Sequence, residues 1–137
     1  MSSGDEDLCY LPNGELNVPF ILTNANLLLL ENELELAASL FQLVKGHTPY
    51  AHCAHYGIGQ CFLKAQCPRQ AVQAFEKAFL LEKRPYIGTA LLEALMACGD
   101  LPAFEKRAIE LAREFSFDEK FVEIFRRQYQ MCLANAK

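Results

Sequence analysis

Within nine residues, His47, His52, Cys53 and His55 gather three imidazoles and a thiol, the side chains from which metal sites and nucleophilic centres are made. His52 and His55 are three apart and share a face if the segment is helical. A four-coordinate zinc site normally shows a second ligand pair, and none follows, so no metal is expected. Cys53 beside His52 is the one nucleophile–base candidate. A reactive thiol needs a base within reach and an activating environment, and neighbours on a helix point in different directions. Gly57 and Gly59 look superficially like a nucleotide-binding glycine loop. They fall inside a helical pattern, follow no strand and lack a third glycine. Glu31, Glu33 and Glu35 suit a solvated turn and helix start, where negative charge complements the helix dipole. No catalytic residue, metal ligand or cofactor is expected from these groups, and the chain is not expected to be an enzyme.

The elements that carry these residues are announced by proline, which a helix tolerates in its first turn and nowhere else. Pro19, Pro49, Pro68, Pro85 and Pro102 each precede or open a stretch of helical periodicity, and the last four are 19, 17 and 17 residues apart. Two such helices with tight turns make a unit of about 34 residues, a period that marks a helical repeat array. Asn17, Thr48 and Asp100 stand at N-cap positions, Gly46 and Gly99 where helices should end, and Ser116 with Glu119 has capping-box spacing. Helices are predicted near 19–31, 33–45, 49–65, 68–82, 86–98, 101–114 and 118–134, and no stretch alternates long enough to demand a strand.

Composition narrows the rest. A chain of 137 residues, 52% hydrophobic and 22% charged, suits one soluble domain with a single core. With a net charge of −4 and no basic stripe, nucleic acid is not an expected partner. The run Leu27 to Leu30 is far too short to span a membrane, and the first residues lack a secretion signal. A cytoplasmic location is therefore expected, with the six cysteines as packing thiols. Residues 1–16 read as a flexible acidic segment with little to pack, and residues 17–137 as the helical domain.

From His52 onward, Ile58 and Gly59 make a large-then-small pair in a first helix, Phe62 follows as an aromatic, and Ala71, Phe75 and Ala78 have a small, aromatic, small spacing in a second helix. In these residues the chain resembles the tetratricopeptide repeat. Small residues let two helices approach, and the aromatics fill the space around the crossing. Ala25, Leu28, Ala37 and Phe41 repeat this from Val18. A third unit from Pro85 places Leu91, Leu92 and Leu95 inward, but has Phe104 and Ala108 in reversed size order. The resemblance implies an all-α fold: a short right-handed superhelix of three antiparallel helix pairs near 18–51, 52–84 and 85–118. A capping helix at 118–134 would cover the end with the apolar stripe of Phe121, Val122, Phe125, Tyr129 and Cys132.

The resemblance further implies a ligand groove lined by the first helix of each pair. Its positions correspond to Leu22, Asn26, Leu29, Cys53, Tyr56, Gln60, Leu63, Tyr86, Thr89, Glu93 and Met96. Apolar anchors of an extended or helical peptide would suit this surface, with Asn26 and Gln60 pairing to its backbone. Asn26 matches one position of the family's carboxylate clamp. The cation positions hold Leu22, Tyr86 and Ala90, so a terminal carboxylate would find no compensating charge. The layout from Phe41 through Phe115 is also similar to the class II chaperones of bacterial type III secretion, which would imply a translocator subunit as cargo. A third expectation is a scaffold that self-associates through the same apolar surface as a homodimer.

Overall fold

Proline marks the start of four helices. In the computed structural model, which describes residues 9–47 and 49–115 together with Glu123, Arg127, Gln130, Met131 and Ala134, six helices follow one another. They are α1 (Val18–Leu30), α2 (Leu34–Val44), α3 (Ala51–Lys64), α4 (Pro68–Leu81), α5 (Pro85–Cys98) and α6 (Leu101–Glu114). Pro19, Pro68, Pro85 and Pro102 lie in first turns, where the missing N–H leaves nothing unsatisfied. Pro49 does not. The chain turns once more after α2, with His47 N–H donating to Val44 O at 3.0 Å and Tyr50 N–H to His47 O at 2.9 Å, so α3 starts at Ala51. Among the described residues there is no strand, only an isolated antiparallel bridge between Tyr10 and Leu16.

The three tight turns between paired helices share one device. Asn32 (φ 63°), Gln66 (φ 63°) and Gly99 (φ 74°) are left-handed, at intervals of 34 and 33 residues. In the first, Glu33 N–H donates to Leu28 O (2.8 Å) and Asn32 N–H to Leu29 O (3.0 Å). Cys67 to Phe62 O (2.8 Å) and Gln66 to Leu63 O (3.1 Å) repeat the pattern, which satisfies the last carbonyls of each first helix. Gly99 N–H donates to Met96 O at 3.0 Å, and Asp100 then caps α6 by accepting from Ala103 N–H at 3.1 Å. Gly46 takes no left-handed conformation, because Lys45 and His47 carry the chain on in a right-handed turn.

Each helix packs on the next, and α1 also meets α3, an arrangement that short turns between equal helices enforce. Phe41, Phe75 and Phe104, one from each second helix, are almost wholly buried. Gly57 and Gly59 are what let α3 reach two of them. A Cβ on Gly57 would overlap the Phe41 ring, and one on Gly59 would come within 2.5 Å of the Phe75 ring. In the third pair Gly88 faces Leu111, where an added Cβ would stand 3.1 Å from Cδ2. Phe104, Ala108 and Leu111 are all buried, so the reversed size order still fills the crossing. Across the outer side, Arg107 of α6 grips both carboxylate oxygens of Glu76 on α4 at 2.5 Å. Among the described residues no polar or charged side chain is buried.

Residues 9–16, which the sequence suggested would be part of a flexible segment, form a closed turn. Leu11 N–H donates to Glu15 O (2.7 Å) and Asn17 N–H to Cys9 O (2.8 Å), with Gly14 left-handed at φ 89°. The physical reason is Cys9 and Leu16, which pack on Val18, Ile21, Val44 and Ala54 and cover that end of the first pair. At the other end, Glu123, Arg127, Gln130, Met131 and Ala134 are helical and exposed, with Arg127 Nε 3.5 Å from Glu123 Oε1. The stripe expected to cap the domain, Phe121 to Cys132, lies outside the described residues apart from these polar-side positions, as do Thr48 and Ser116.

Two stability outcomes follow from the turns and the crossing. Left-handed backbone costs an L-residue about 1–2 kcal/mol, and glycine's looser unfolded state returns about half of that. Gln66→Gly should therefore stabilise by about 0.5–1 kcal/mol in urea unfolding, whereas Gly99→Ala should cost about 1 kcal/mol. Unchanged midpoints in both would show that these turns are not held left-handed. Gly59→Ala should cost about 1–2 kcal/mol despite the better helix propensity of alanine, because the Phe75 ring is trapped in the core. The same change made in a Phe75→Leu background should cost clearly less, and strict additivity of the two would disprove the contact.

Candidate functional site

Where α3 and α5 meet, several groups that can recognise a ligand come together. On α3, Tyr56 lies over Phe75 with ring centroids 5.6 Å apart, so the buried ring that Gly59 admits is also the floor beneath Tyr56. Tyr86, one helix on, meets Tyr56 edge-on at 4.9 Å and 83°. Gln60 hydrogen-bonds Tyr56, and the Glu93 carboxylate acts on the same phenol. Cys53 stands close enough to Tyr86 for their charges to interact. Leu63 and Met96 are half-buried against the core that α4, α5 and α6 share. Cys53, Tyr56, Gln60, Tyr86 and Glu93 are thus one cluster, half open to solvent.

The remaining candidates are placed differently. Thr89 spends its hydroxyl on Pro85 O at 2.9 Å, within its own helix. Leu22 is half-buried among the residues of the first pair, and Asn26 is exposed on α1. Leu29, only 9% exposed, is a core residue whose carbonyl accepts from Lys64 Nζ at 3.4 Å. It holds α1 to α3 and offers little surface of its own.

The imidazoles and thiol of the sequence cluster separate. Among the described residues no group of three His, Cys, Asp or Glu side chains could hold a metal ion. His52 and Cys53 do not diverge as helix neighbours were expected to: His52 bends so that Nε2 lies 3.5 Å from Cys53 Sγ. The contact does not activate the thiol. Burial pushes the Cys53 thiol up from its ordinary value, the nearby Arg84 cation offsets part of this, and Glu82 adds to it. A nucleophilic cysteine needs the opposite shift. His55 instead enters a depression behind α3, between Lys45 and Lys77, where burial and then those two ammonium groups depress its pKa. Sequence reasoning missed this depression, although Gln70, Gln73 and Lys77 repeat at helical spacing and could have disclosed it.

Compared with protein-family models, with curated proteins and with solved structures, the chain matches none of them. What the site can do must therefore be read from its own groups. A tyrosine pair with fixed rings, a carboxamide, a carboxylate and flanking Leu63 and Met96 provide apolar contact with a few hydrogen-bonding points. Among the described residues no helix is long and apolar enough to cross a membrane.

The titrating groups set a pH window for stability. Burial pushes up the thiols of Cys53, Cys61 and Cys98 and the phenols of Tyr56 and Tyr86. Above about pH 8.5 the unfolded chain sheds these protons before the folded one does, so stability should fall as pH rises from there. His55 has the opposite sense. Its folded pKa is depressed, so the unfolded chain takes up the proton first, and stability should fall as pH drops below about 6.5. Urea midpoints measured across this range should form a plateau with two falling shoulders, and His55→Gln should remove the acid one. An acid shoulder that survives in His55→Gln would contradict the assignment.

Proposed function

We propose that this protein is a non-enzymatic interaction module of tetratricopeptide type, whose first helices take an extended or helical segment of a protein partner. Tyr86 carries the reading. It is 46% exposed, yet it is held in place by the edge-on contact with Tyr56, which in turn rests on buried Phe75. A large side chain fixed before its partner arrives contributes contact area at little entropic cost, as interface anchors do. The repeated left-handed turns at Asn32, Gln66 and Gly99 support the tetratricopeptide arrangement, in which three like pairs stack into a right-handed superhelix and bring α1, α3 and α5 to one surface. Leu63 and Met96 would receive apolar anchors, and Gln60 and Glu93 would meet backbone or basic groups of the ligand.

An arrayed library of short peptides, probed with the full chain, should yield ligands with two spaced apolar residues. Tyr86→Ala should weaken them roughly tenfold while leaving the urea midpoint nearly unchanged. Ligands that bind Tyr86→Ala and Glu93→Lys as well as the parent would place the binding surface elsewhere. Light scattering that shows a dimer through the same residues would favour the self-associating scaffold.

A further inference from the structure

A separate depression lies behind α3. It opens between α2, α3 and α4, with a cavity of about 200 Å³. Its floor is Ile58, Phe62 and Ala74, of which Ile58 and Ala74 are 6% exposed. Around the rim stand Lys45, Lys77 and His55, joined by the carboxamides of Gln42, Gln70 and Gln73. No carboxylate lines it, although the chain as a whole carries more acidic than basic residues. The charged group facing His55 from the end of α2 is Lys45, and from α4 it is Lys77. Neither ammonium has an ion pair among the described residues.

Two unpaired cations, a neutral imidazole between them and three amide donors form a recognition set for a compact dianion. The apolar floor adds contact area for a carbon group attached to it. We infer that this cavity binds a small-molecule phosphomonoester, its phosphate between Lys45 and Lys77 and its organic group against Phe62 and Ile58. A dianion satisfies both ammonium groups at once, and its charge draws a proton onto His55, which becomes a third cationic donor. A monoanion would leave one lysine without a partner. The site lies on the opposite side of α3 from Tyr56 and does not depend on the peptide-binding reading.

Phenyl phosphate is the probe, added to the full chain while the ring resonances of the three histidines are followed by NMR, with sodium chloride at matched ionic strength as reference. Binding should raise the titration midpoint of His55 by roughly half a pH unit and leave His47 and His52 where they are. Lys45→Gln and Lys77→Gln, both exposed positions, should each weaken binding roughly fivefold without moving the urea midpoint. Benzenesulfonate, with the same ring and a single charge, should bind roughly fivefold more weakly. The assignment fails if the His55 midpoint is unmoved, if all three histidines move together, or if either lysine variant binds as the parent does. Inorganic phosphate binding as tightly as phenyl phosphate would show an anion site with no use for the apolar floor, and would overturn the organic ester.

Discussion

The structure depends on one helix being able to come close to two others. Along α3, Gly57 presents bare backbone to Phe41 and Gly59 to Phe75, aromatic rings 34 residues apart in sequence. A methyl group at either position would meet a ring that the core does not let move. Glycine inside a helix is unfavourable by roughly 0.5–1 kcal/mol relative to alanine, and α3 carries two of them within three residues. That local loss is offset because the approach buries Phe41, Phe75, Ala71, Ala74 and Ala78 almost completely. With α3 fixed against both second helices, the first pair and the second pair share a core, and the third pair joins it where Ile87, Leu91 and Leu95 of α5 pack with Phe75 and Phe79 of α4.

The middle pair was legible in the sequence because its packing residues differ sharply in size. Gly59, Phe62, Ala71, Phe75 and Ala78 can meet in few other ways, and the structure brings them together. The third pair was legible for a subtler reason: Phe104, Ala108 and Leu111 fill the same three positions with the order of sizes altered, so volume was kept while the pattern was not. Gly57 carried no such message. Its neighbour Phe41 lies in the preceding pair, and a lone glycine on a helix reads as a defect until the opposing ring is seen. Asn32 is of a type that helix ends tolerate left-handed, but Gln66 is not, and only its interval of 34 residues from Asn32 marks it as a turn residue.

The candidate site was less legible than the fold, for a geometric reason. Periodicity tells which side of a helix a residue lies on, but not how deep that side sinks. The resemblance implied one face for both Leu29 and Tyr86, and one is 9% exposed while the other is 46% exposed. The densest chemical signal, His47 to His55, dissolved for the same kind of reason. One turn of α3 sends His55 to the back between two lysines and leaves Cys53 beside Tyr86 at the front. Residues close in sequence were separated, and residues from different elements made each surface: α3 and α5 at the front, α2, α3 and α4 at the back.

A single run of contacts connects the packing constraint to the surface that could recognise a partner. Gly59 admits Phe75, Phe75 underlies Tyr56, Gln60 hydrogen-bonds Tyr56, and Tyr86 leans edge-on against it. Each step restricts a ring that would otherwise sample several rotamers, so much of the ordering entropy is lost in folding and not on binding. A face made of long flexible side chains would have to lose that entropy when its ligand arrived. Tyrosine loses little, because it has few rotatable bonds and one polar tip. The close approach that glycine permits in the core therefore also governs how rigid the exposed face is, and a change at Gly59 reaches Tyr86 without touching it.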